Sequence, residues 1–175
     1  FPVRLPRSSR PLLATGGEMK NTFCLVRDGY AFLSHQIGDM ENYETLRSFE
    51  EGTAHMERLF RVAPELIACD MHPDYMATRY AHERAQREGL PLVAVQHHHA
   101  HIAAGMAEHG LPMDRQVIGV AFDGTGYGED GAIWGGEFLV AGYSDYERAA
   151  HLRYVPLPGG DRAIREPWRM ALAHL

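Results

Sequence analysis

Apolar positions along the chain alternate between short runs and longer stretches at helical spacing. Leu12 to Thr15 reads as a strand that runs into Gly16-Gly17, and Thr22 to Val26 is a second apolar run. Asp28-Gly29 is a hairpin signal, so Tyr30 to Ser34 returns as a third strand. From Glu44 to Arg61, Leu46, Phe49, Met56, Leu59 and Phe60 recur at roughly helical spacing, with Gly52 weakening the helix. Leu66 to Cys69 reads as a buried strand. Tyr75 to Glu88 reads as an amphipathic helix stopped by Gly89, with Asp74 as its capping residue. Leu92 to Val95 is a further strand, and the next helix opens on His97 and runs to His109.

The order β-β-β-α-β-α-β-α predicts an α/β fold. Its form is the ribonuclease-H-like lobe of the actin-like ATPase (ASKHA) superfamily, a mixed sheet with flanking helices. The pattern then restarts. Val117 to Phe122 is a strand that runs into Asp123-Gly124-Thr125-Gly126-Tyr127-Gly128, Trp134 to Ala141 is another, and Leu152 to Val155 is a candidate third. This divides the chain into a linker at 1–11, a first lobe at 12–112 and the beginning of a second lobe at 113–175. The Pro- and Arg-rich opening and an end inside a helical pattern read as the ends of an excised segment.

Composition narrows the classes. An apolar fraction of 45% and a charged fraction of 23% are ordinary for a globular protein. A net charge of -6 without a Lys/Arg stripe argues against a nucleic-acid surface. No apolar stretch approaches ~18 residues, so no membrane span is expected. The two cysteines, Cys24 and Cys69, lie in separate strands and form no CxxC, which suits reduced, structural thiols and a cytoplasmic setting.

The chemistry concentrates in His97-His98-His99-Ala100-His101, four imidazoles in five positions. His97 and His101 are four residues apart on a helix, so both rings lie on one face and can share a divalent metal. His98 and His101 are also neighbours on a helix, and spacing alone does not choose the pair. Two glycine turns add candidates. Gly16-Gly17 and Gly124-Thr125-Gly126 each follow a strand, where backbone N–H groups can hold a phosphate; Lys20, the only lysine, stands beside the first. Asp123 closes a strand just before the second, a position suited to a metal or phosphate.

The runs LLATGGEMKNTFCL, SHQIGDMENYETLRSFE, ACDMHPDY, VAVQHHHAHIAA, AFDGTGYGEDGAIWGGEF and REPWRMAL, in that order, resemble the transferase domain of the HypF-type carbamoyltransferases of [NiFe]-hydrogenase maturation. The domain is similar to the enzyme that makes threonylcarbamoyladenosine in tRNA. The resemblance implies carbamoyl phosphate and ATP as substrates, a carbamoyl-adenylate intermediate, and the C-terminal cysteine of HypE as acceptor. It implies zinc or iron held by His97 and His101, with Asp123 near the metal and phosphate. Lys20, Gly16 and Gly17 would line the nucleotide or carbamoyl side, and Lys20 and Asp123 are taken as the catalytic residues. The family's acylphosphatase, zinc-finger and adenylate-forming domains, and most of its second lobe, have no counterpart in these residues. Two other readings stay open: a non-catalytic metal-binding scaffold, and a sugar- or acetate-kinase-like lobe. The histidine cluster opposes the kinase, because such kinases usually hold Mg²⁺ through carboxylates.

Overall fold

The computed structural model describes residues 2–7, 9–160 and 162–175. One half of its larger sheet is antiparallel, built from β1 (Val3–Arg4), β2 (Leu12–Ala14), β3 (Cys24–Arg27) and β4 (Tyr30–Leu33). The hairpin between β3 and β4 turns at Asp28 (φ 52°) and Gly29 (φ 78°), two consecutive left-handed positions that suit a tight turn. The other half is parallel. After helix α1 (Tyr43–Phe60), β5 (Ile67–Asp70) pairs with β2; after α2 (Met76–Glu88), β6 (Leu92–Val95) pairs with β5. The resulting order, β1-β4-β3-β2-β5-β6, is a meander extended by two helical crossovers.

The core lies between this sheet and its helices. Leu13, Leu25, Met40 and Phe49 are wholly buried, and Phe49 meets Phe23 and Tyr80 edge-on at 5.4 and 5.1 Å. Under α2, Ile67 and Cys69 pack on Ala81 and Ala85. Asn42 caps α1, its side chain accepting from Thr45 N–H.

Helix α3 (His97–Glu108) leaves the end of β6 and leads to a second region. There β7 (Val117–Ala121), β10 (Glu137–Ala141) and β11 (Tyr146–His151) form an antiparallel sheet in the order β11-β10-β7. A small ribbon, β8 (Gly126–Tyr127) with β9 (Ile133–Trp134), projects beside it. Two short helices, α4 (Arg162–Arg165) and α5 (Trp168–His174), follow. Helix α3 sits directly on β7, because a Cβ on Gly119 would come within 2.2 Å of Ile102 Cδ1. Among the described residues, no helix is long and apolar enough to cross a membrane.

Four sequence expectations change. Part of the segment read as linker 1–11 is strand: Val3 and Arg4 pair with Ala31 and Tyr30, because β4 offers an open edge. Asp74 does not cap α2. The cap position is Tyr75, without a side-chain bond, and Glu18 from the first glycine turn accepts the Met76 N–H at 2.9 Å instead. The strand expected over Trp134 to Ala141 is broken at Gly135-Gly136, where a Cβ on Gly135 would lie 2.3 Å from the Gly124 carbonyl oxygen. The third strand is Tyr146–His151 rather than Leu152 to Val155. Its sequence is mostly polar because its outer side faces solvent, so it carries no continuous apolar run.

Candidate metal centre

Three chain segments meet where the parallel strands end. Asp70 closes β5 opposite Val95 on β6, so His97, two residues beyond Val95, starts α3 beside the Asp70 carboxylate. Asp123 lies two residues past the end of β7, on which α3 packs. Topology thus carries a residue more than twenty positions away onto the histidine cluster.

The geometry is compact. His97 Nε2 lies 3.2 Å from His101 Nε2, and Asp123 Oδ2 lies 3.1 Å from each. The edges of this triangle are nearly equal. Ligands about 2.0–2.1 Å from a tetrahedral ion stand roughly 3.4 Å apart, so the three atoms fit one divalent cation. The donor set, two imidazoles and a carboxylate, suits zinc or iron(II). Among the described residues, His97, His101 and Asp123 are the group of three whose donor atoms gather within 4.8 Å of one another.

The surroundings favour that role. His97 Nδ1 donates to Asp70 Oδ2 at 2.7 Å, which directs the lone pair of Nε2 into the triangle. The same bond holds His97 above the ordinary imidazole range, against partial burial. Asp70 Oδ1 accepts from His72 N–H, so both carboxylate oxygens are used. His98 is fully buried, and burial pushes its ring below the usual range. Its Nε2 lies 2.7 Å from Asp123 Oδ1, but off the direction of a well-formed hydrogen bond. Its Nδ1 contacts Gln96 Nε2 at 3.1 Å. Gln96 also caps the helix through Oε1 to His99 N–H, and His99 turns away to Gly142 O at 2.9 Å.

The glycine turns meet the start of α3 from two directions. Gly17 leaves room beside His97, whose Cε1 would lie 3.7 Å from a Cβ there. Gly126 is tighter, since a Cβ would come within 2.6 Å of His98 Cε1. Gly16 takes a left-handed φ of 74° and is stapled by buried Asn21, which donates to Thr15 O and Gly17 O. Gly124 is also left-handed, at φ 91°. The turns open onto different hollows, however. Gly16 and Gly17 line one of about 380 Å³ with Asp70, His97 and His101, whereas Thr125 and Gly126 line one of about 430 Å³ with Tyr75 and Tyr127. Lys20 lines neither. Its backbone is left-handed and donates to Asp39 Oδ1, and its side chain is exposed.

The loop after Asp123 is fastened from the neighbouring strands. Gly124 N–H donates to Gly135 O, and Gly135 N–H donates to Glu137 Oε1. Glu137, almost wholly buried, is bridged by Arg148 at 2.6 Å, and the guanidinium stacks 3.9 Å over Trp134. Asp70, Gln96, Glu137 and Arg148 are residues that sequence reasoning did not single out. Asp70 ends a strand, and a carboxylate at a strand end, the signal used for Asp123, could have found it; the others carried none.

Comparison with known proteins agrees with this architecture. Residues 7–108 match the HypF Kae1-like domain, and residues 119–175 match the second subdomain of the carbamoyltransferase Kae1-like domain. Carbamoyltransferase HypF2 of Cupriavidus necator is 52% identical over 173 residues, which cover 99% of this chain and 21% of that protein. Carbamoyltransferase HypF of Synechocystis is 45% identical over 175 residues, covering 99% of this chain and 22% of that protein. The chain therefore spans about a fifth of the length of these curated relatives. A crystal structure of full-length HypF in the phosphate- and nucleotide-bound form superposes with a TM-score of 0.91 at 48% identity, over 98% of this chain and 22% of that one. YeaZ from Pseudomonas aeruginosa, at 14% identity and a TM-score of 0.55 over 81% of this chain and 65% of that one, shares the fold. The mixed sheet, its flanking helices and the matches along nearly the whole length show that the chain belongs to the HypF Kae1-like domain family.

Proposed function

We propose that this chain is the metal-holding part of a HypF-type carbamoyl-transfer site. The single observation that carries this reading is the near-equilateral arrangement of His97 Nε2, His101 Nε2 and Asp123 Oδ2. These three residues would hold zinc or iron, and the ion would supply Lewis-acid stabilisation of developing negative charge. The chain's own residues do the rest. Asp70 fixes the ring of His97, and Gly16 and Gly17 keep side chains out of the adjoining hollow. On this reading 12–112 is an actin-like ATPase lobe and 113–175 begins its counterpart.

The family membership supports carbamoyl phosphate and ATP as the source of the carbamoyl group, delivered as carbamoyl-adenylate. The acceptor is the C-terminal cysteine of HypE. In the transfer, the cysteine thiol gives up its proton to solvent, a C–S bond forms as the bond from the carbamoyl carbon to the adenylate phosphate oxygen breaks, and AMP leaves. Backbone N–H groups at Gly16-Gly17 and Thr125-Gly126 are the candidates for phosphate contact, the Gly124 N–H being taken by Gly135 O. Lys20 is a weaker candidate, since its side chain is exposed at the turn.

The test is metal analysis together with transfer. His97→Ala, His101→Ala and Asp123→Ala should each lose bound zinc or iron. In the full-length protein each should cut carbamoyl transfer to the HypE cysteine by about 100-fold or more. Full metal occupancy in all three variants, or transfer at the original rate, overturns the proposal.

A further inference from the structure

The proposed ligand set uses one carboxylate oxygen of Asp123 and leaves the other, Oδ1, facing a ring that the metal does not need. That ring is His98, fully enclosed, with Nε2 2.7 Å from Oδ1, off the direction of a well-formed hydrogen bond and without any other partner. Its tautomer follows from its other neighbour. Gln96 Oε1 accepts the His99 N–H at 3.0 Å, which fixes the amide so that Nε2 faces His98 Nδ1 at 3.1 Å. An amide NH₂ only donates, so His98 Nδ1 must accept. The neutral ring then carries its proton on Nε2, toward Asp123.

We infer that His98 is the positioning residue for Asp123: with its tautomer set by Gln96, it occupies Oδ1 and so reserves Oδ2 for the metal. This rests on the metal reading above. A carboxylate with both oxygens free can swing or bind through both; one whose Oδ1 has a buried, unpartnered ring nitrogen 2.7 Å away has that oxygen closed to the metal. The packing leaves the ring no alternative. A Cβ on Gly126 would strike His98 at Cε1 and at Nδ1, at 2.6 and 2.9 Å, and the Trp134 ring stands 6.4 Å from it between ring centroids. His98 is thus pinned between the cap of α3 and the loop that carries Asp123.

The experiment compares His98→Phe, His98→Asn and His98→Gln in the full chain. Phe and Asn remove the N–H that faces Oδ1; Gln can present an amide N–H at about the reach of Nε2. Zn²⁺ affinity is read by chelator competition, and the coordination environment by visible absorption of the Co²⁺-loaded chain. Phe and Asn should weaken Zn²⁺ by about 10–100-fold and alter the Co²⁺ bands as Oδ1 is released, while Gln recovers most of both. Unchanged affinity and bands in Phe and Asn overturn the inference. So does an equal loss in Gln, which would make the role one of packing. Thermal unfolding without metal checks each variant's fold, and the Asn–Gln pair decides the matter if Phe does not fold. His97→Ala separates the two readings. If it keeps its metal, the metal centre itself is wrong; if it loses metal while His98→Phe and His98→Asn bind normally, only the role of His98 falls.

Discussion

Asp70 Oδ2 stands 2.7 Å from His97 Nδ1, and the opposite edge of the same ring faces Asp123 and His101. The imidazole, on α3, is therefore held from behind by a carboxylate at the end of β5. Removing that hold should tilt the ring and lower its basicity. Asp70→Ala is expected to weaken Zn²⁺ binding by about 10–100-fold, and Asp70→Asn by less, since the amide oxygen still accepts from Nδ1. Chelator competition measures both, and equal affinity in Asp70→Ala would remove Asp70 from the site.

Two glycines of the same region should respond in opposite directions to alanine. A Cβ on Gly126 meets His98, so Gly126→Ala should destabilise by about 1–3 kcal/mol. Gly105 lies inside α3 with nothing near its would-be Cβ, so Gly105→Ala should stabilise by about 0.5–1 kcal/mol. Denaturant titration reads both. A stable Gly126→Ala would mean that the loop yields readily.

Ion pairs should divide by burial. Arg84, 8% exposed, joins Glu57 at 2.6 Å and Glu88 at 3.0 Å between α1 and α2. Arg84→Ala strands two carboxylates in a partly desolvated position and should cost about 3 kcal/mol. Arg47 and Glu51 are both largely exposed, so Arg47→Ala should change stability by less than about 0.5 kcal/mol. Comparable losses at the two positions would contradict this ranking.

Burial pushes Cys24 and Cys69 up to about 11. The folded state thus binds their protons more tightly than the unfolded chain, whose thiols titrate near 9.0. Their contribution to stability is complete below that value and is lost as pH rises through about 11. Cys24→Ala combined with Cys69→Ala should flatten the stability profile across this window. The native thiols should also alkylate slowly at pH 8 and rapidly in denaturant. Fast labelling of the folded chain would refute the assignment.

Much was legible from local pattern. Short apolar runs, the Asp28-Gly29 turn and the helical spacing before Gly89 located β2 to β6, α1 and α2, because each element carries its own local pattern and stop signal. The four-residue step from His97 to His101 placed two rings on one helical face for the same reason. A strand such as Tyr146–His151 escaped because one side is solvated and its stability comes from the pairing partner, β10.

What the sequence by itself determined was a cluster of imidazoles at helical spacing, from which the family resemblance picked His97 and His101, with Asp123 at a strand end as a candidate third. Only the tertiary structure decided that Asp123 closes the triangle, that Asp70 stands behind His97, and that His98 faces Asp123 rather than solvent. Each of these depends on contacts between β5, α3 and the loop after β7, which no sequence spacing encodes. Distances of about 3 Å between side chains arise from how sheets and helices stack, and that stacking follows from burying the apolar faces of the whole chain at once.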